Sequence, residues 1–124
     1  MVKAVILDFY GVIQTDEVIV WVEKQVAEHP NIRSAVDVAS AKIDLDEITL
    51  DEYFEALAAA VGRPVSVVKQ ELKNEVAINH PLLAVIDQLR QKGIKTAVLS
   101  NDGSSLRPYM EGHGITRHFD QIFI

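Results

Sequence analysis

Two runs of apolar residues that lie far apart in the chain have the pattern of buried strands: KAVILD at residues 3–8 and IKTAVLSN at residues 94–101. A shorter run of the same kind, QIFI, occupies residues 121–124. Aliphatic runs of about four to eight residues without polar alternation are typical of strands in parallel sheets, which are covered on both faces. The pattern predicts three such strands, the first of them buried on both faces and ended by Asp8.

The chain between the first two strands has helical spacing. Residues 15–29 fit an amphipathic helix, although the stretch VIVWV within them also fits a strand. Residues 49–62 are clearer, because Thr49 and Glu52 have the spacing of a capping box and Gly62 is placed to end the helix.

Two further helices are predicted before the second strand. One covers residues 66–76, with Ser66 as its N-cap, and the other covers residues 80–93, with Pro81 in its first turn and Gly93 after its last. Because the last helix leads directly into the second strand, the two strands are expected to be parallel.

These elements predict an α/β fold with a Rossmann-like parallel sheet of about three strands and a helical insert. The sheet core comprises residues 1–14 and 81–124. The segment of residues 15–80 is longer than the single helix that a simple crossover between two parallel strands needs. We interpret them as a helical cap above the edge of the sheet where Asp8 lies.

Composition narrows the class of protein. The 124 residues include no cysteine, which excludes disulfides, thiolate metal sites and a cysteine nucleophile, and suits a cytoplasmic protein. The net charge of −6 is spread along the chain and argues against nucleic-acid binding. No apolar stretch approaches the roughly 18 residues of a membrane span. We therefore expect a soluble protein with a small-molecule substrate.

Candidate chemistry follows two of the strands. Asp8 ends the first, and Ser100 and Asn101 end the second. Carboxyl ends of neighbouring parallel strands meet at one edge of a sheet, where open α/β folds place their ligands. The backbone N–H groups of Phe9 and Tyr10 would then hold an anion beside Asp8. The alternative is that Asp8 caps a loop and that Ser100 and Asn101 are turn residues.

The segments ILDFYGVI and TAVLSN resemble the first two motifs of the haloacid dehalogenase-like (HAD) hydrolase superfamily. The resemblance implies that Asp8 is the nucleophile and that the Ser100 hydroxyl binds the transferred group. Asn101 and the Phe9 and Tyr10 N–H groups would bind substrate. It also implies that the insert is a helical cap and that the chain corresponds to the N-terminal part of such a protein.

Two departures from the family pattern affect the expected reaction. Phosphatase members have a second aspartate where this chain has Tyr10, and the D-x-Y-G form is similar to 2-haloacid dehalogenases. A haloacid and a phosphate ester both stay open as substrates. No cofactor is expected for the first; for the second the resemblance implies Mg²⁺ on Asp8 and the Tyr10 carbonyl.

The second departure is the absence of lysine after Asn101, where the family supplies one. Lys92 and Lys95 precede the second strand and do not replace it, so we expect weak turnover from this chain. Arg33 and Arg63 are the candidate cap residues for a substrate carboxylate. The alternative function is a non-catalytic, self-associating domain.

The strand order of the family predicts one interaction surface. In that order the first strand is central, so in this chain its outer edge would lack a neighbour. An apolar edge strand is a template for another chain. We therefore expect self-association through this edge, as a homodimer with a symmetric partner strand or by an exchanged segment. The alternative is that a segment of the insert folds back and covers the edge.

Overall fold

The computed structural model describes all 124 residues and divides them into two compact units. Residues 1–15 and 77–124 form the sheet unit, and residues 16–76 form the helical unit. In chain order the elements are β1 (Ala4–Leu7), α1 (Glu17–Gln25), α2 (Ile32–Asp44), α3 (Leu50–Val61), α4 (Val65–Glu75), α5 (His80–Gln91), β2 (Lys95–Leu99), α6 (Leu106–Gly112), a 3₁₀ turn (Thr116–His118) and β3 (Gln121–Phe123).

The sheet has three parallel strands in the order β1-β2-β3, which confirms the predicted α/β class. Leu7 is in register with Val98, and Leu99 is in register with Phe123. The strand ends are therefore aligned at a single edge of the sheet, and β1 has a neighbour on only one side.

One face of the sheet is covered by helices and the other is bare. Val98 is fully buried in a core that includes residues from α5 and α6, with Leu7 and Ile122 packed against it. On the opposite face Ile6, Leu99 and Phe123 are 61%, 56% and 51% exposed. The prediction of a first strand buried on both faces is therefore wrong, since β1 is covered on one face only.

The helical unit confirms several of the predicted helix ends. Thr49 and Glu52 form a reciprocal capping box at the start of α3, and Gly62 ends that helix in the left-handed conformation, with φ of +64°. The ambiguous VIVWV stretch is helical. It lies in α1, where the Asp16 carboxylate accepts a hydrogen bond from the Ile19 N–H at 3.1 Å.

Two features of the helical unit differ from the prediction. Ser66 is not an N-cap, because Pro64, with φ of −57° and ψ of 143°, brings the chain into α4 one residue earlier, at Val65. Helix α2 was not singled out from the sequence. It buries Ile32, Val36, Ala39 and Ile43, whose spacing of three or four residues places them on one helical face.

The chain leaves the sheet unit after Thr15 and returns to it at Ala77. The Thr15 N–H donates to the Ala77 carbonyl, and the Ala77 N–H donates to the Thr15 hydroxyl oxygen, both at 2.9 Å. The two ends of the insertion are therefore tied together by a pair of hydrogen bonds. None of the six helices combines the length and hydrophobicity needed to cross a lipid bilayer.

Asp120 joins the start of β2 to the chain before β3. Its carboxylate accepts hydrogen bonds from the buried Thr96 N–H at 2.9 Å and from the Arg90 guanidinium at 3.3 Å. The hydrogen bond from Thr96, with the charge of Arg90 in support, lowers the pKa of Asp120 below its ordinary value. The folded state therefore binds the proton of Asp120 less tightly than the unfolded chain does.

We predict that Asp120 contributes stability above about pH 4, the pKa range of an unfolded aspartate, and that this contribution is lost as the pH falls through its lower folded value. Urea denaturation of the wild type and of Asp120→Asn at a series of pH values measures it. The two proteins should differ near neutrality and converge in acid. Glu111→Gln removes a charge from an exposed position of the same unit and serves as control. A constant difference at every pH would contradict the prediction.

Candidate active site

Asp8 directly follows β1 and Ser100 directly follows β2, so both residues lie at the same edge of the sheet. Leu7 pairs with Val98, so the register continues to Asp8 beside Leu99, and Ser100 lies one residue further. The spacings of a parallel sheet place the Cα atoms of Asp8 and Ser100 roughly 6 Å apart. Asp8 is exposed, Ser100 is buried, and the Ser100 N–H donates to the Phe123 carbonyl at 2.9 Å.

The loop after Asp8 is compact because Phe9 anchors it. The Phe9 side chain is fully buried, and its carbonyl accepts hydrogen bonds from Val12, Ile13 and Gln14 at 3.3, 2.9 and 3.2 Å. Gly11 permits this turn, since its φ of +75° is strained for other residues. The loop therefore holds Asp8 at a fixed place at the end of β1.

The Phe9 N–H is not available to an anion, contrary to the expectation from the sequence. It donates to Oδ1 of Asp8 at 2.7 Å. This hydrogen bond satisfies Oδ1 of Asp8. The second carboxylate oxygen, Oδ2, is directed away from it. The Phe9 N–H therefore orients the Asp8 carboxylate in this structure, and the expectation that it binds a substrate anion is not met.

Asp102 is a site residue that the sequence analysis missed. The Tyr10 hydroxyl donates to Oδ2 of Asp102 at 3.2 Å, and Oδ1 of Asp102 accepts from the Gly103 N–H at 2.8 Å. The Asp102 N–H lies 3.4 Å from the Ser100 hydroxyl oxygen. Tyr10 and Asp102 thus join the loop after β1 to the loop after β2. The only signal for Asp102 in the sequence is its position as an acidic residue directly after Asn101. The Asn101 side chain is exposed.

Four cations of the sheet unit either have other partners or lie away from Ser100. Arg107 donates to the Ile122 carbonyl at 2.8 Å, and Arg90 pairs with Asp120. Lys92 caps the end of α5, and Lys95 begins β2, at the end of the strand remote from Ser100. The ion pairs of this unit involve Asp87 and Asp120, and none involves Asp8.

Both candidate arginines of the helical unit are engaged with acceptors of that unit. Arg33 forms an exposed ion pair with Glu23 at 2.6 Å. Arg63 donates to Glu71 at 2.9 Å and to Gln25 at 2.6 Å. A substrate carboxylate would have to compete with these acceptors for either guanidinium.

The residues present do not form a magnesium site by themselves. No three His, Asp or Glu side chains of the 124 residues come together as metal ligands. Asp8 and the Tyr10 carbonyl supply two oxygens, whereas Mg²⁺ requires six ligands in near-octahedral geometry and gives up its waters reluctantly.

We therefore predict that this chain does not bind Mg²⁺ at micromolar concentrations. Isothermal titration calorimetry of the wild type and of Asp8→Ala checks this. We expect weak or undetectable heats for both proteins. Micromolar binding by the wild type that is lost in Asp8→Ala would contradict the prediction.

Comparisons with solved structures identify the fold. The L-2-haloacid dehalogenase from Xanthobacter autotrophicus, with chloropropionic acid covalently bound, matches 99% of this chain with a TM-score of 0.57 and 19% identity. A HAD family enzyme from Bacteroides thetaiotaomicron, in complex with magnesium and inorganic phosphate, matches 100% with a TM-score of 0.69 and 15% identity. A predicted HAD-like family hydrolase from Porphyromonas gingivalis matches 99% with a TM-score of 0.65 and 17% identity.

This chain spans 56%, 69% and 66% of those three chains, respectively. No protein-family model and no curated protein sequence matches it. The similarity is therefore one of structure, and it extends over nearly every residue of this chain. The chain has the fold of the haloacid dehalogenase-like enzymes.

Proposed function

We propose that the protein is a HAD-like hydrolase that uses Asp8 as a nucleophile on a small organic substrate, either a haloacid or a phosphate ester. One observation carries the proposal. Asp8 and the Ser100 hydroxyl follow neighbouring parallel strands at one edge of the sheet, and their Cα atoms are roughly 6 Å apart by strand spacing. A carboxylate beside a hydroxyl donor can attack a substrate whose leaving group the donor stabilises.

In the reaction with a haloacid, Oδ2 of Asp8 attacks the carbon that carries the halogen, and halide leaves with the bonding electrons. Water then attacks the carbonyl carbon of the resulting aspartyl ester, which releases the hydroxy acid and restores the carboxylate. Ser100 and Asn101 orient the substrate, and the Phe9 N–H holds Oδ1 so that Oδ2 is presented.

Tyr10 and Asp102 bear on the choice between the two substrates. Tyr10 stands where a second carboxylate would serve as the general acid of a phosphatase, and its phenol is a poor acid near neutrality. This favours attack on carbon. The Asp102 carboxylate, which the Tyr10 hydroxyl contacts at 3.2 Å, favours the phosphate ester, because it supplies an acid from the neighbouring loop.

Incubation with 2-chloropropionate in water labelled with heavy oxygen tests the proposal. Attack of water on an aspartyl ester places one heavy oxygen in the side chain of Asp8, and mass spectrometry of its peptide detects it. Incubation with a phosphate ester followed by borohydride tests the second substrate, because an aspartyl phosphate is reduced to homoserine.

We expect slow labelling of the wild type by one of these routes. Asp8→Asn should lower turnover on the order of 10³-fold or more, as loss of a nucleophile does. Asp37→Asn removes a charge from an exposed position in the helical unit and is the matched control. Turnover that persists in Asp8→Asn, or an unmodified Asp8 with both substrates, would contradict the proposal and favour a non-catalytic domain.

A further inference from the structure

Two adjacent residues of the loop after β1 contact both sides of the candidate site. The Phe9 N–H donates to Oδ1 of Asp8 at 2.7 Å. The next residue, Tyr10, extends toward the loop after β2, where its hydroxyl donates to Oδ2 of Asp102 at 3.2 Å. Asp102 follows closely on Ser100 in that loop. The same short segment therefore contacts the carboxylate of the site and the loop that carries its hydroxyl.

The Tyr10 side chain has a rigid support. Its ring meets the Phe9 ring edge to face, with the ring centroids 4.8 Å apart and the planes at 86°. Phe9 is fully buried in a close-packed core, which resists its displacement. The core of the sheet unit therefore sets the position of the Tyr10 hydroxyl.

Asp102 connects the Tyr10 hydroxyl to Ser100. Each oxygen of the Asp102 carboxylate accepts a hydrogen bond, Oδ2 from Tyr10 and Oδ1 from the Gly103 N–H at 2.8 Å. The backbone N–H of Asp102 donates to the Ser100 hydroxyl oxygen at 3.4 Å. Since the carboxylate and this N–H belong to one residue, the bonds that hold the carboxylate also hold the N–H against Ser100.

The hydrogen bond from Asp102 determines how the Ser100 hydroxyl is used. A serine hydroxyl has one donor hydrogen and two acceptor lone pairs. The Asp102 N–H occupies a lone pair, so the donor hydrogen is directed away from Asp102. Ser100 is only 8% exposed, and this bond is the one that the structure gives its side chain. The hydrogen is therefore left for a bound substrate.

We propose that Tyr10 is a positioning residue whose hydroxyl, acting through Asp102, sets the direction in which Ser100 donates to a substrate. This gives a role to a phenol that is a poor acid near neutrality. The hold of Tyr10 on the loop after β2 is independent of any reaction. Its consequence for catalysis rests on the proposed function, so the two parts are measured separately.

Tyr10→Phe removes the hydroxyl and keeps the ring. Amide hydrogen exchange, followed by nuclear magnetic resonance of the ¹⁵N-labelled chain, measures the hold on the loop at Asp102 and Gly103. We expect exchange there to accelerate on the order of tenfold, the effect of one lost hydrogen bond. Tyr53→Phe is the matched control, because the Tyr53 hydroxyl lies 3.2 Å from the Ser40 hydroxyl in the helical unit. It should leave both amides unchanged.

The rate at which 2-chloropropionate or a phosphate ester modifies Asp8 measures the consequence for catalysis. Tyr10→Phe should lower this rate on the order of tenfold in the otherwise unchanged chain. In a Ser100→Ala background the same substitution should change the rate less than about twofold, because the group that Tyr10 positions is gone. Long incubations keep the slow variants measurable, since the modified peptide accumulates. Tyr53→Phe should leave the rate unchanged in both backgrounds.

Two variants of Asp102 separate positioning from proton transfer. In Asp102→Asn the side-chain oxygen still accepts from Gly103, and the NH₂ group donates to the Tyr10 oxygen. This variant should therefore retain most of the rate of Asp8 modification. Asp102→Ala keeps neither bond and should slow the modification as much as Tyr10→Phe does.

Unchanged exchange at Asp102 and Gly103 in Tyr10→Phe would overturn the proposal. Equal slowing by Tyr10→Phe with and without Ser100 would also overturn it, because Tyr10 would then act by another route. Equal losses in Asp102→Asn and Asp102→Ala would assign Asp102 to proton transfer and likewise overturn it. If neither substrate modified Asp8 in the wild type, the proposed function would be contradicted, and the exchange rates would still decide whether Tyr10 holds the loop.

Discussion

Replacing Trp21 by alanine should destabilise the helical unit by about 3–5 kcal/mol, the range for removing a large aromatic side chain from a core. Trp21 is 1% exposed, and its indole N–H donates to Oε2 of Glu71 at 2.8 Å. The same carboxylate oxygen accepts from Arg63 at 2.9 Å. The substitution therefore creates a cavity and also removes one of the hydrogen bonds of a partly buried carboxylate.

Urea denaturation followed by far-ultraviolet circular dichroism measures this effect, because Trp21 is the sole tryptophan and the variant loses its fluorescence. Trp21→Phe retains most of the packing and lacks the hydrogen bond, so it should be destabilised by only about 1–3 kcal/mol. Equal losses in the two variants would mean that the hydrogen bond, and not the volume of the indole, stabilises this core.

Replacing Phe9 by alanine should destabilise the sheet unit by a similar amount, about 3–5 kcal/mol. The ring is fully buried and makes edge contacts with Tyr10 and Tyr109, at centroid distances of 4.8 and 6.2 Å. Phe9 also holds the loop that follows Asp8. We therefore expect the variant to lose modification of Asp8 even under conditions in which it stays folded.

Phe119→Ala is the matched control, because Phe119 lies in the same core but precedes β3, at the end of the sheet remote from Asp8. It should lower the free energy of unfolding comparably and leave the modification of Asp8 in the folded fraction unchanged. If Asp8 were modified in Phe9→Ala to the same extent as in the wild type, the result would contradict the prediction that this loop positions Asp8.

The sequence predicted those parts of the fold that depend on local patterns. The capping box of Thr49 and Glu52 and the glycine after α3 involve neighbours in sequence, so their residue types suffice. Helix α2 was less visible, because its buried face includes the small Ala39 among charged and polar residues. The start of α4 depended on the fixed φ of Pro64, which outweighed the capping preference of Ser66.

The candidate site could be predicted only where strand alignment determines it. Asp8 and Ser100 share an edge because parallel strands align their ends, which the sequence pattern implies. The contact between Tyr10 and Asp102 joins two irregular loops 92 residues apart, and no periodicity indicates such a contact. The exposure of Ile6 was also unpredictable, because an apolar run does not say which of its faces a helix will cover.

The hydrogen bonds between Thr15 and Ala77 make the helical insertion a replaceable module. Since the chain leaves and re-enters the sheet unit at adjacent points, a linker of a few residues could join Thr15 to Ala77 without moving either strand. The entropy of closing a loop grows only with the logarithm of its length, so inserts of very different sizes cost nearly the same. This junction is therefore the place at which an insertion of another length could be grafted with little change in the sheet unit.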